Sequence, residues 1–97
     1  MARPPLLSHD EIDSWLASHP LWQRDGQMLK RSLQFGDFSE AFAFMTRVAI
    51  MAEKADHHPE WFNVYNRVDI AITTHDAGGL TVYDTDFAAA VDAMAPG

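Results

Sequence analysis

Apolar positions recur along this chain with two periods, three to four residues in some stretches and two in others. In LLSHDEIDSWLASHP, residues 6–20, Ile12, Trp15 and Leu16 fall at helical spacing and form one buried stripe. Ser8 is placed as the N-cap, Glu11 completes a capping box, and Leu7 and Ile12 are set for a hydrophobic staple. Pro20 stops this helix. In LWQRDGQMLKRSLQF, residues 21–35, the pattern alternates on either side of Asp25-Gly26, a type I′ hairpin signal. That turn sets Arg24 opposite Gln27 and Trp22 opposite Leu29. Trp22, Leu29, Leu33 and Phe35 then share the core face. Arg31 falls on the same face, where only an exposed sheet edge would explain it.

The longest helical signal runs through GDFSEAFAFMTRVAIMAEKADHHPE, residues 36–60, with Asp37 as N-cap and Glu40 at the capping-box position. Phe38, Phe42, Met45, Val48, Ala49 and Ala52 form one apolar stripe, and Phe44, Val48, Met51 and Ala55 an adjoining one. So wide an apolar arc predicts cover on more than one side, the second from another subunit. The helix must end near Asp56–His58, because Pro59 disfavours a helical residue before it. NVYNRVDIAITTH, residues 63–75, alternates as a half-buried strand, with Val64, Val68, Ile70 and Ile72 on one face. After the DAGG turn, LTVYD either continues as a strand or opens a last helix. Thr81 and Asp84 form another capping-box pair there, and Phe87, Val91 and Met94 give the helix its stripe. The order of elements predicts an α+β fold with helices covering one face of a small antiparallel sheet.

The length of 97 residues suits one domain with one modest core, spanning residues 1–97, and no internal repeat or linker interrupts it. A net charge of −7 argues against a nucleic-acid binder that neutralises phosphates. The absence of cysteine removes disulfides, thiolate nucleophiles and Cys-based zinc sites. No apolar run approaches the roughly 20 residues that span a bilayer, and the N-terminus lacks a secretory h-region. The expected location is cytoplasmic, with no membrane and no nucleic acid among the partners.

Candidate chemistry concentrates in the histidines. His9 and His19 read as solvated residues near the two ends of the first helix. His57 and His58 sit where a helix runs into Pro59, a fixed corner that presents two neighbouring side chains with little freedom. Spacing alone leaves two roles open for them: complementing the helix dipole, or moving protons in a pocket, since histidine both donates and accepts near neutral pH. Metal ligation is the weaker reading, because adjacent histidines rarely converge on one ion and helical zinc pairs stand four residues apart. Trp61 and Phe62 are candidate walls for a flat ring, although plain core packing is the better account of at least one of them.

Glu53, then His57-His58-Pro59, then Tyr65, His75 and Asp84, with five residues between Pro59 and Tyr65 and nine between Tyr65 and His75, resembles the signature of the pterin-4a-carbinolamine dehydratases. The text DHHPEWFNVYNRVDIAITTHDAGGLT is similar to that family almost throughout, and the resemblance extends over nearly the whole chain. It implies a four-stranded antiparallel sheet with three helices packed on one face. It also implies dehydration of a 4a-hydroxytetrahydropterin to the quinonoid dihydropterin, recycling the pterin of aromatic amino acid hydroxylases such as phenylalanine hydroxylase, with no metal and no cofactor. By the same resemblance His57, His58 and His75 line the pterin pocket. His57 and His75 are the expected acid–base pair and His58 chiefly orients the substrate. The segments Asp56–His58 and Thr73, Thr74, His75 and Asp76 are the expected pterin contacts, with Trp61 as a wall. Glu53, one helical turn before His57, is the expected support of that imidazole; Asp84 reads first as a structural cap. A homodimer or homotetramer is expected. The alternative is a non-catalytic dimerisation or coactivator-type module on the same fold, and a metal-dependent hydrolase ranks last.

Overall fold

The computed structural model describes residues 4–96. Helix α1 (His9–Ser18) leads into β1 (Gln23–Asp25) and β2 (Met28–Gln34), then α2 (Phe38–Ala55), β3 (Glu60–Val64) and β4 (Arg67–Ile72). A single 3-10 turn (His75–Ala77) precedes α3 (Val82–Met94). The strands form one antiparallel sheet in the order β1-β2-β4-β3. The architecture is the expected α+β fold of a four-stranded sheet and three helices. Leu29, Leu33, Val68, Ile70 and Ile72 are buried on one sheet face, in one cluster with Ile12 of α1, Phe44, Val48 and Ala52 of α2, and Phe87, Ala88 and Val91 of α3. The alternate residues Lys30, Ser32, Gln34 and Arg67 face outward and are exposed.

The caps form much as the local sequence dictates. Ser8 and Glu11 close a capping box on α1, and Thr81 and Asp84 close one on α3. Asp37 caps α2 by accepting from the Glu40 N–H, but the Glu40 carboxylate accepts from Gly36 N rather than from the cap, so that box stays open. LTVYD opens α3 and contributes no strand, because Thr81 takes the cap.

Four local expectations are corrected. The first hairpin turns at Gly26–Gln27, one residue later than expected, with Asp25 opposite Met28 and Arg24 opposite Leu29. Gly26 supplies a φ of 60° at the first central position, the place a type II′ turn reserves for glycine. Each cross-strand partner moves by two residues, so every side chain keeps its face and Trp22 is still buried. Arg31 lies on a central strand, not at an edge. Its guanidinium pairs with Asp92 of α3, whose same oxygen accepts from Trp22 Nε1 at 2.8 Å. On α2 the buried stripe is Ala41 with Phe44, Val48 and Ala52, these three drawn from both expected stripes, while Phe38, Phe42 and Ala49 of the first and Ala55 of the second are exposed. Finally, the alternating run 63–75 is two strands. The chain reverses at Tyr65–Asn66, so Val64 pairs with Arg67 and is exposed, and β3 is an edge strand. Tyr65 takes a φ of 49° there. Asn66 locks the turn to the end of β2, its carbonyl accepting from Phe35 N at 2.8 Å and its side-chain amide donating to Phe35 O at 3.0 Å.

Candidate active site

The end of α2 fixes where His57 starts. Asp56 adopts the left-handed conformation (φ 52°, ψ 43°), its N–H donates to Glu53 O at 3.2 Å, and the His57 N–H donates to Ala52 O at 3.1 Å. These two bonds are a Schellman termination, which satisfies the last carbonyls of the helix and turns the chain sharply. Pro59 follows and β3 begins at Glu60, so His57 and His58 occupy the short corner between helix and edge strand.

From this corner His57 reaches across to α3. Its Nε2 lies 2.6 Å from Asp84 Oδ1. Asp84 is fully buried, and its other oxygen accepts from the Thr81 N–H and the Thr74 hydroxyl, each at 2.8 Å. Because a carboxylate only accepts, the Thr74 proton points at Asp84. The Thr81 hydroxyl, 2.8 Å from that of Thr74, therefore donates to Thr74, forming a chain of hydrogen bonds with one direction. Asp84 sits in the first turn of α3, where the helix dipole favours a negative charge. The His57 ring, with its side chain only 13% exposed, is flanked by Tyr83 and Phe87 at centroid distances of 5.8 and 6.1 Å.

The other two imidazoles also meet a carboxylate through Nε2. His58 pairs with Glu53, so Glu53 supports His58 and not His57, as its spacing suggested. His75, in the 3-10 turn after β4, lies 3.1 Å from Glu60 Oε2. Glu60 opens β3 opposite Ala71, so β3 begins and β4 ends at the same edge of the sheet, and His75 is tied to the corner that carries His57 and His58. Both of these pairs are exposed, in contrast to the buried His57–Asp84 pair. Asp56 and Asp76 are exposed as well. Thr73 and Thr74 are buried, with their hydroxyls committed to Gln27 O at 2.6 Å and to Asp84. Neither Glu60 nor the contact between Asp84 and His57 was marked by sequence spacing; Glu60 lay inside the HPEW text with nothing to distinguish it.

Two hollows lie near these residues. One of about 250 Å³ is lined by Met51, Ala55, His57, Tyr83, Asp86 and Phe87, between the end of α2 and the start of α3. A wider one of about 630 Å³ lies along the sheet and includes Glu60, Trp61 and Phe62 but no histidine. Trp61 is half-buried and packs against the core, and Phe62 is 58% exposed. His19, expected in solvent, stacks on Trp15 at 3.9 Å and has no part in this site.

Each imidazole has Nε2 on a carboxylate, which favours a proton on that nitrogen and leaves Nδ1 without a partner among the described residues. Among those residues no three His, Asp or Glu side chains are grouped to hold a metal ion.

A four-stranded antiparallel sheet backed by three helices, with two histidines at a helix-to-strand corner and a third just after β4, each beside a carboxylate, defines a small α+β protein. Residues 5–94 match the family model described as pterin 4 alpha carbinolamine dehydratase, and the chain belongs to that family. A protein of Novosphingobium aromaticivorans named "Putative pterin-4-alpha-carbinolamine dehydratase" is 53% identical over 91% of this chain and 94% of its own length. One of the same name from Rhizorhabdus wittichii is 54% identical over 98% and 99%. The crystal structure of a transcriptional coactivator/pterin dehydratase from Brucella melitensis superposes with a TM-score of 0.90 at 43% identity, covering 94% of this chain and 99% of that one. A pterin dehydratase-like protein identified as a RuBisCO assembly factor in the alpha-carboxysome gives 0.63 at 27% identity, covering 75% and 84%.

Proposed function

We propose that this protein dehydrates a 4a-hydroxytetrahydropterin to the quinonoid dihydropterin, serving the recycling of the pterin used by aromatic amino acid hydroxylases. The observation that carries the reading is the set of carboxylate-held imidazoles, His57 and His58 at the α2–β3 corner and His75 bonded to Glu60 at the start of β3, in a chain from this family. The substrate is already a carbinolamine, whose ring nitrogen lone pair can expel the neighbouring hydroxyl. The C4a–O bond breaks, an acid gives the departing hydroxyl its proton, and a base takes a ring proton, with net loss of one water. His57 and His75 are assigned the acid–base pair, and His58 orients the pterin. Asp56 and Asp76 line its approach from the flanking loops, Thr73 offers a backbone contact, Thr74 holds the turn that carries His75, and Trp61 is the assigned wall. Glu53 and Asp84 support the imidazoles. Mixing the protein with freshly formed 4a-hydroxytetrahydropterin should speed loss of the carbinolamine absorbance, and His57→Ala and His75→Ala should each slow it strongly with the fold kept. Unchanged rates in both variants would sink these roles.

A second reading draws on the exposed Phe38, Phe42 and Ile50 of α2, which are 49%, 55% and 66% accessible. These suit self-association as a homodimer or homotetramer, or a coactivator-type binding role on the same fold. Sedimentation of Phe42→Asp against the unaltered chain separates self-association from a free surface, and the same variant in the dehydratase assay shows whether turnover depends on it.

A further inference from the structure

We propose that Thr74 is a positioning residue for His57, acting through Asp84. Its hydroxyl occupies Asp84 Oδ2, which turns Oδ1 to His57 Nε2 and leaves Nδ1 to face the substrate. The argument starts from the number of donors. Among the described residues Asp84 is buried with no Lys or Arg bonded to it and is held by three donors: the Thr81 N–H, the Thr74 hydroxyl and the His57 ring. The Thr81 N–H is fixed by the start of α3, but it shares Oδ2 with Thr74 and cannot alone set the rotation of the carboxylate. The Thr74 hydroxyl can do so, because it takes a proton from Thr81 on one side and gives one to Asp84 on the other. Thr74 also orders the second imidazole. Its carbonyl accepts from Ala77 and Gly78, each at 3.1 Å, and its N–H donates to Gly79 O at 3.2 Å, closing the turn that carries His75. One buried residue therefore ties the His75 turn to the carboxylate that holds His57.

The kinetic part of the test rests on the dehydratase reading; the spectroscopic part does not. Thr74→Val keeps the shape and removes only the hydroxyl, whereas Thr74→Ser keeps the hydroxyl. The ring tautomer of His57 is read in the full-length chain by 15N-resolved NMR, at a pH high enough for a neutral ring. Turnover is read with 4a-hydroxytetrahydropterin generated in situ. The unaltered protein should carry its His57 proton on Nε2. Thr74→Val should lose that preference and drop kcat about 10-fold, a part of the roughly 10²-fold or more that a positioned acid–base group contributes. Its KM should hold within about twofold, as expected when substrate binding is untouched. Thr74→Ser should restore both. A wild-type ring protonated on Nδ1, an unchanged tautomer and kcat in Thr74→Val, or a failure of Thr74→Ser to restore them would each overturn the proposal. The wild-type tautomer and the serine variant decide it even if the valine variant does not fold. A wild-type protein with no dehydratase activity would refute the proposed function and leave the tautomer comparison to judge Thr74.

Discussion

Replacing Asp84 with Asn tests the central pair, because the two side chains have nearly the same shape and differ in what one atom can do. The Thr81 N–H is pinned by the helix and can only donate, so the amide oxygen must stay where Oδ2 is, 2.8 Å away. The amide nitrogen then takes the place of Oδ1 beside His57, 2.6 Å from Nε2 in the native pair. An amide N–H donates, so Nε2 must become an acceptor and the ring proton must move to Nδ1. Of three hydrogen bonds, two lose their charge and one reverses. Charged hydrogen bonds exceed neutral ones by about 1 kcal/mol each, and relief from burying an isolated charge offsets part of that loss. The net cost is about 1–2 kcal/mol, equivalent to a fall in Tm of roughly 5–15 °C for a chain of this size. Asp84→Ala leaves all three donors without an acceptor and should cost at least about 3 kcal/mol. Turnover in Asp84→Asn should fall by about 10²-fold or more, the lower end of what a positioned acid–base group contributes. Thermal unfolding, the His57 ring 15N spectrum and carbinolamine decay measure the three quantities separately. A folded Asn variant that keeps its proton on Nε2, or turns over within twofold of the native protein, would refute the reasoning.

Other consequences follow from the packing and the turns. Phe44 is completely buried, so Phe44→Ala should cost about 3–5 kcal/mol in denaturant unfolding. Asp92 holds both Arg31 and Trp22; Asp92→Ala should cost about 3–5 kcal/mol, the range for stranding a largely buried charge, and Asp92→Asn should cost less. Tyr65 sits in the left-handed region with an exposed side chain, so Tyr65→Asn should raise stability by up to about 1 kcal/mol and Tyr65→Val should lower it. Hydrogen bonding and charge from Lys30 hold the Asp25 carboxyl below its ordinary value of 3.8. The small stability from this pair is therefore present above that ordinary value and is lost as pH falls through the lower folded value. An NMR titration of Lys30→Ala should show the Asp25 midpoint moving back up.

Elements whose signals are local were legible in the sequence. The caps at Ser8, Asp37 and Thr81 each depend on a few consecutive residues and formed where expected. The face assignment of the first hairpin survived a displaced turn because the displacement moved partners by an even number of residues. Features that depend on what lies opposite were less legible. Asn66 was invisible as a turn residue because Val64 and Val68 preserve the alternation across it, and only its exchange with the Phe35 backbone marks the reversal. The two apolar stripes of α2 looked equivalent along the helix, and contact with the sheet took Phe44 from one, Ala52 from the other and the Val48 they share. Arg31 looked misplaced until Asp92, 61 residues away, supplied its partner.

The site repeats this division at closer range. Glu53 lies one turn before His57, so helical geometry suggested that pair. The Schellman termination at Asp56 turns His57 away from its own helix and towards α3, and it leaves His58 to Glu53. Asp84 already had a sufficient local explanation as the acid of a capping box, which gave no reason to look for a second contact. The box is in fact what enables that contact. Capping consumes one carboxylate oxygen at the positive end of α3 and, with the Thr74 hydroxyl on that same oxygen, leaves the other pointing at His57 across 27 residues of chain. Structural and chemical roles here are two sides of one carboxylate. A substitution that frees the cap should therefore disturb the imidazole even where the helix survives. Thr81→Val is the case in point: it keeps the Thr81 N–H on Asp84 but removes the hydroxyl that donates to Thr74. The helix should remain folded by circular dichroism while the His57 ring resonances shift.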